Sequence, residues 1–534
     1  MSQSKSYAGA QEGIDVSLSK SYAGALEGID ASLITLEVAV MQGTRFFMVG
    51  LPDSAIKESQ QRIEAALKYF GYRIPRKKVV INLAPADLRK EGSSYDLPIA
   101  IGILSADGQS SFKKELLSQS LMMGELSLDG QLGPIRGALS MASMAKTEGF
   151  KRFLLPKQNA EEASMVEGID IIGIEDLQEA VQFLNGDKVI APTPLSLRLK
   201  RNVKKNNYQI DMEDIKGQVT AKRALEIAAA GAHNVLMIGP PGAGKTLLGK
   251  SLPSILPALR TEEALEVTKV YSAGGHAGSD NPVIFMSPFR SPHHTVSEVG
   301  LVGGGSFPRP GEISLAHHGV LFLDELSEFK RNVLESLRQP MEDRQVVISR
   351  SKMRAAFPAS FMLVASMNPC PCGYYNHPSR DCNCSSSAIV RYLGKISGPL
   401  LDRVDMHIEV TPLPPDDMVS TKLGTSSRDI RNRVEVARER QEKRFAPYRG
   451  VHNNSMAPPS LVRKLFILSN KEREYLRKVM ETIKLSARAY DRILKVSRTI
   501  ADLEGEENIS SQHLMEAVSY RNLDRGNWAF AHTR

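Results

Sequence analysis

The sequence predicts an α/β protein built on a parallel sheet and closed by a helical C-terminal region. Three observations carry this. The apolar run Val235–Ile238 leads straight into a glycine-rich turn and a helix start at Leu247–Leu252. A second apolar run, Val320–Leu323, stops at two carboxylates, Asp324 and Glu325. From Arg428 onward, strong helix formers recur through Val434–Arg444, Asn470–Ile483 and Ala487–Glu504. Alternating strand, loop and helix build parallel sheets, which place ligands outside the carboxyl ends of the strands.

At 534 residues the chain exceeds one hydrophobic core, and about three or four domains are expected. Residues 1–18 form a duplicated tail, because Ser4–Leu18 (SKSYAGAQEGIDVSL) is nearly repeated by Ser19–Leu33 (SKSYAGALEGIDASL). Two copies are too few for a solenoid, and only the second continues into a strand-like stretch, Ile34–Val40. Residues 19–186 read as one α/β unit, with strands Phe46–Val49 and Val79–Leu83 and a helix Asp53–Phe70 stopped at Gly71. Residues 187–209, rich in Pro, Lys and Arg, are a basic linker. Residues 210–412 hold the glycine-rich turn and the acidic pair. The prolines and aspartates of Leu413–Asp417 open a helical region, 413–534.

The formal charge of +8 permits a nucleic-acid partner without requiring one. The basic stretches Ser196–Asn206 and Ser426–Gly450 fit a polyanion contact or a solvated face equally. No apolar signal segment opens the chain, and no run approaches the roughly 18 apolar residues of a membrane span. A cytoplasmic protein without membrane contact is expected.

Gly239-Pro240-Pro241-Gly242-Ala243-Gly244-Lys245-Thr246 fits a phosphate-binding loop between a strand and a helix. Its backbone N–H groups can close around phosphate oxygens. Lys245 adds a point charge and Thr246 a ligand for Mg²⁺. Such a loop needs a second acid for the ion and a group to polarise water. Asp324 suits the first task and Glu325 the second. A third strand, Phe361–Ser366, ends at Asn368, whose amide can reach a γ-phosphate or the attacking water. Arg403, within Leu400-Leu401-Asp402-Arg403-Val404-Asp405, and Arg488, within Ser486-Ala487-Arg488, can stabilise developing phosphoryl charge, one of them from a neighbouring subunit.

This order of motifs resembles the magnesium-chelatase-related branch of the AAA+ ATPases. Val49-Gly50-Leu51-Pro52-Asp53, Asn82–Gly92 (NLAPADLRKEG), Ser291-Pro292-His293-His294-Thr295 and Cys370-Pro371-Cys372-Gly373 narrow it to the YifB/ComM family of magnesium-chelatase-like competence proteins. The resemblance covers nearly everything from Ser19 onward; the duplicated N-terminus departs from it. It implies a P-loop AAA+ core with a helical lid, ATP and magnesium as cofactors, and a homo-oligomeric ring, a hexamer. It implies Lys245, Thr246, Asp324 and Glu325 at the nucleotide, Asn368 as sensor 1, Arg403 as the finger reaching a neighbour's ATP and Arg488 as sensor 2. For ComM-like members it further implies ATP-driven branch migration on single-stranded or branched DNA during recombination or transformation.

About 80 residues separate Lys245 from Asp324, more than one helix and one strand need. The excess, Thr268–Leu315, contains glycine clusters and reads as a mobile projecting loop. Its His293-His294 pair lacks nearby carboxylates and cysteines, which favours a structural or DNA-facing role over metal. Val346–Ser349 and Ala355–Phe357 predict a hairpin whose tip carries Arg350, Lys352 and Arg354, cations suited to phosphate contacts.

All four cysteines lie in Cys370-x-Cys372 and Cys382-x-Cys384. Four thiolates can complete a tetrahedral zinc site, although C-x-C pairs are tighter than the usual C-x₂-C. Free thiols are the other reading. Finally, Gly124–Gly130 and Gly133–Gly137 resemble the proteolytic domain of Lon. Its serine would fall near Ser93 or Ser94, but no lysine follows Gly137 closely; the first is Lys146. Without that base the serine is an ordinary alcohol. Residues 19–186 are therefore expected to be a Lon-like α+β domain without peptidase activity. Two other readings stay open: an ATP-driven remodelling factor for protein or metal insertion, and an ATP-dependent protease.

Overall fold

The computed structural model describes residues 16–88, 90, 92–194, 210–276, 283–305, 308–350, 353–375, 377–413, 424–483 and 485–521. The chain divides into two compact units: residues 1–199 with 271–283, and residues 200–270 with 284–534. None of the described helices is long and apolar enough to cross a membrane.

In the first unit, strands Ser17–Glu27 and Asp30–Met41 form an antiparallel hairpin turning at Gly28 (φ +72°). The second repeat copy supplies most of the first strand, the turn and the start of the second strand. Ser17 and Leu18, which end the first copy, already pair with Val40 and Ala39, so the ladder starts two residues before the boundary drawn at 19. The long partner strand offers backbone groups out to Met41, and chain beside it pairs with them. Residues 4–15 of the first copy lie outside the described residues.

Lys78–Ala84 pairs antiparallel with Asp30–Met41 and parallel with Phe46–Val49. Helix Ser54–Tyr69 makes the crossover between those parallel strands. Helix Asp96–Ala106 (DLPIAIGILSA) is apolar nearly all round and almost wholly buried in the core of this unit. A second sheet, parallel and three-stranded, orders Ser120–Met122, Arg152–Pro156 and Asp170–Ile174.

Two of the motifs that carried the resemblance meet at Asp53. Its Oδ1 accepts from the Ile56 amide at 2.8 Å, capping the helix, and its Oδ2 accepts from the Gly92 amide at 3.0 Å. Gly50 lies so close to the Leu83 carbonyl that a Cβ there would sit 2.2 Å from the oxygen.

The second unit is built on a five-stranded sheet, ordered Phe289–Arg290, Val320–Leu323, Met362–Met367, Val235–Ile238, Met406–Glu409. All neighbours run parallel. The three central strands are buried at every position, as a sheet covered on both faces requires. Phe289–Arg290 falls inside the stretch expected to project as a loop. Pairing with Val320 and Leu321 makes it the edge strand, so part of that stretch belongs to the sheet.

The hairpin also differs in detail. Its strands are Gln345–Arg350 and Met353–Pro358, with Arg350 opposite Met353 and Arg354 opposite Ser349. The ladder stays paired as far as Arg350 and Met353, further toward the tip than expected. Arg354 is therefore an exposed strand residue rather than a tip residue. Arg350 ends its strand, and Lys352 lies outside the described residues.

Helices Ser427–Phe445, Ala487–Glu504 and Ser511–Ser519 follow residue 412. Val434, Phe445, Ile493 and Leu514 share one core with Val235, Phe322 and Val364. The helical stretch thus forms no separate compact unit, because the apolar faces it presents pack into the same core as the sheet. Residues 195–209 of the expected linker are outside the described residues.

Asp53→Ala is expected to cost about 2 kcal/mol, from one lost helix cap and one lost charge-assisted bond. Urea unfolding of the intact chain checks this; an unmoved first transition contradicts it.

Candidate functional site

The phosphate-binding loop joins the buried strand Val235–Ile238 to helix Lys245–Ser251. Gly242 (φ +78°) and Gly244 (φ +89°) are left-handed, and a Cβ on either would meet no atom within 4 Å. Glycine is needed there for backbone conformation rather than packing. Gly249, one turn into the helix, is a packing glycine: a Cβ would lie 2.4 Å from the Phe322 ring.

Lys245 Nζ donates to the carbonyls of Gly239 (2.6 Å) and Pro240 (2.8 Å) and to Asn368 Oδ1 (3.1 Å). All three ammonium protons are spent on the loop and the sensor strand, and a phosphate oxygen can exchange into that set. Burial pushes Lys245 down to about 8, against the raising influence of Asp324 and Glu325.

Thr246 Oγ1 donates to Asp324 Oδ2 at 2.7 Å. Asp324 Oδ1 accepts from Ser366 Oγ and, at 3.1 Å, from the Glu325 amide. The loop and two neighbouring strands thus converge on one carboxylate. Thr246 and Asp324 can hold a hard divalent cation between hydroxyl and carboxylate oxygens. Glu325 follows with φ +53°, a strained conformation for a residue with a side chain. Its carboxylate is exposed, and His294 Nδ1 stands 3.7 Å from it. A carboxylate does therefore sit beside the histidine pair, contrary to the reading from sequence neighbours; the fold supplies it from a different strand.

Arg403 and Arg488 do not join this cluster. Asn368 and the phosphate loop follow carboxyl ends of strands, whereas Arg403 precedes the amino end of Met406–Glu409. Strands Val235–Ile238 and Met406–Glu409 are about 13 Å long at four residues each, and Met362–Met367 is longer at six. Arg403 is 7 % exposed, donates to the Pro399 carbonyl at 2.6 Å and pairs with Glu342 at 2.6 Å. Arg488 is exposed at helix Ala487–Glu504 and lines the same cleft, of about 380 Å³. Arg344, Arg492 and Lys495 line it too, and Arg492 pairs with Asp405.

The four cysteine sulfurs lie within 4.8 Å of one another. Cys370 and Cys372 are 3.3 Å apart, Cys370 and Cys382 3.6 Å, and Cys372 and Cys382 3.5 Å. Tetrahedral zinc with bonds of about 2.3 Å needs sulfurs roughly 3.8 Å apart, so the set fits.

Other residues gave no sequence signal. Gln218 Nε2 donates to the carbonyls of Ala243 (3.1 Å) and Thr411 (2.7 Å), buttressing the phosphate loop. Ser366 orients Asp324. Glu266 accepts from His317 Nε2 (3.1 Å) and His318 Nε2 (2.8 Å), which holds its carboxyl well below the ordinary range. His317 Nδ1 accepts from the Ser360 amide at 3.0 Å, so the ring proton sits on Nε2 and faces the carboxylate. A metal-bound imidazole has the reverse arrangement, and this triad is a hydrogen-bonded network.

Family models described as the magnesium chelatase subunit ChlI match residues 36–159 and 211–418, and the ChlI C-terminal model matches 424–521. The chain is 43 % identical over 497 residues to the YifB protein of Escherichia coli, covering 92 % of this chain and 94 % of that one. It is 43 % identical over 501 residues to the competence protein ComM of Haemophilus influenzae, covering 92 % and 95 %. This chain belongs to the YifB/ComM family. Its members are magnesium-chelatase-like proteins, and a fainter likeness reaches the magnesium-chelatase 38 kDa subunit of Cereibacter sphaeroides, 24 % over 242 residues, 42 % of this chain and 62 % of that one. As a YifB/ComM protein the chain carries a ChlI-type ATPase domain, with ATP and magnesium as the implied cofactors.

Lys245 must carry its proton to pair with phosphate. With the free-enzyme value near 8, ATP affinity is expected to stay level below about pH 8 and to fall above it; an unperturbed lysine would hold to about pH 10. Titration with a fluorescent ATP analogue checks this. Affinity that stays flat to about pH 9.5 contradicts it.

Proposed function

We propose that this protein is a ring-forming ATP-driven motor that acts on DNA. The observation that carries the reading is the division of the phosphate chemistry between the two edges of one parallel sheet. Lys245 and the loop Gly239–Thr246 bind the phosphates, Thr246 and Asp324 hold Mg²⁺, Glu325 polarises water and Asn368 senses the γ-phosphate. Arg403 and Arg488, at the far edge, complete the site of an adjoining subunit. A guanidinium supplied in trans ties hydrolysis to assembly. The sequence resemblance favours six subunits.

Support for DNA comes from that resemblance and from the basic hairpin. Arg354 is exposed on one strand, Arg350 ends the other, and Lys352 sits between them in the sequence. Cations on a narrow ribbon suit the phosphate backbone, which carries affinity without reading bases. Branch migration of single-stranded or branched DNA is the specific activity proposed. The first unit takes the Lon-like role of assembly or DNA contact without peptidase chemistry. In support, the Lys90 ammonium is spent on the Pro85 carbonyl, and the end of the Lys146 side chain lies beside Gly168. We further infer a structural zinc on Cys370, Cys372, Cys382 and Cys384.

The test is ATP turnover with and without branched DNA, in the wild type and in the triple variant Arg350→Ala/Lys352→Ala/Arg354→Ala. Wild-type turnover is expected to rise with DNA. The variant is expected to lose that rise, and its DNA-binding salt slope to drop by about two, at roughly 0.7 per single-strand phosphate contact. Turnover indifferent to DNA would favour a chelatase-like remodelling factor instead.

A further inference from the structure

The cysteine cluster stands between two arms of chain, and each arm ends on the nucleotide site. The first arm runs from Asn368, whose Oδ1 accepts from Lys245, through Cys370 and Cys372 to Gly373. Gly373 is left-handed (φ +85°) and lies against the phosphate loop: a Cβ there would be 2.6 Å from Pro241 Cδ and 3.9 Å from Asn368 Cγ. Cys370 is fully buried. The second arm runs from Cys382 and Cys384 into helix Ser386–Leu393. Tyr392 in that helix accepts from Ser327 Oγ at 2.6 Å, and Lys395 just beyond it donates to the Ser327 carbonyl at 3.1 Å. Ser327 is two residues past Glu325.

Among the bonds described here, only sulfur-to-sulfur contacts join the cysteines of one arm to those of the other. Thiols are weak donors and weak acceptors, so four of them make a poor cross-link on their own. The chain has nevertheless prepared the sulfurs as ligands. The Tyr375 amide donates to Cys370 Sγ at 3.3 Å, and the Gly373 amide closes the knuckle on the Cys370 carbonyl at 3.0 Å. Backbone donors of this kind are what a metal-bound thiolate accepts.

We propose that a zinc ion in this cluster is the brace that fixes Asn368 and Pro241 relative to the Asp324–Glu325 turn, so that ATP turnover depends on a metal that touches neither nucleotide nor water. Zinc binding then works as a checkpoint on the motor: a chain without the metal binds ATP and hydrolyses it slowly. This inference rests on the nucleotide reading given above.

The experiment uses the full chain in three forms: as purified, after removal of metal by a strong chelator followed by zinc add-back, and as the Cys382→Ser/Cys384→Ser variant, whose changes lie on the arm remote from Asn368. Three quantities are read: zinc per chain, amide hydrogen exchange over residues 239–246 and 361–370, and the turnover and affinity for ATP. About one zinc per chain is expected as purified. Removing it should speed exchange in both segments about tenfold and lower turnover about tenfold, with ATP affinity changed less than about threefold, and add-back should reverse this. No zinc in the purified chain overturns the proposal. Zinc that leaves without altering exchange in either segment also overturns it, whatever the turnover. Zinc-dependent protection in a chain that never hydrolyses ATP sustains the brace and overturns the ATPase reading alone.

Discussion

Parallel strands present their carboxyl ends on one edge of a sheet and their amino ends on the other, so groups at the two edges stand about a strand's length apart. The second unit follows this constraint throughout. Strand Val235–Ile238 delivers the phosphate loop, Val320–Leu323 delivers Asp324 and Glu325, and Met362–Met367 delivers Asn368, all on the carboxyl edge. Arg403 sits at the amino edge, held by Pro399 and Glu342. A guanidinium orders its planar fork at lower entropic cost when it is already hydrogen-bonded, so under the proposed shared site Arg403 would be held ready to donate.

The carboxyl edge is correspondingly prepared for a polyanion and a cation. Lys245 is desolvated and satisfied by carbonyl oxygens that contribute no net charge. Asp324 is held by two hydroxyls and an amide, so its oxygens are fixed before a metal is bound. Fixed dipoles in a partly buried site spare the reorganisation that water would demand, which is how such sites stabilise charge developing in a transition state. Glu325 is the exception. Its backbone is left-handed and its side chain is exposed, with His294 as its near neighbour.

Much of this was legible in the sequence because the decisive signals are local. An apolar run followed by Gly239–Thr246, or by Asp324-Glu325, announces its strand and its chemistry within about ten residues. Four cysteines within one short stretch likewise announce a cluster. Long-range facts were not legible. Phe289–Arg290 is too short to show a period and becomes a strand only because Val320–Leu323 needs a partner. Gln218 and Ser366 are ordinary polar residues until the fold sets them beside Ala243 and Asp324. The carboxylate near His294 comes from another strand. A single arginine carries no mark of the sheet edge it will occupy, and the edge assignment of Arg403 and Arg488 required the three-dimensional order of the strands.

The central claim is that hydrolysis is shared between subunits, and mixing two crippled chains tests it most directly. Lys245→Ala removes a phosphate grip and Arg403→Ala removes the donor to a neighbour, so each homogeneous ring is expected to be nearly inactive. In an equal mixture about a quarter of interfaces pair an intact loop with an intact arginine, and turnover should recover in that proportion. A mixture no more active than its parts, with rings formed, would contradict the account.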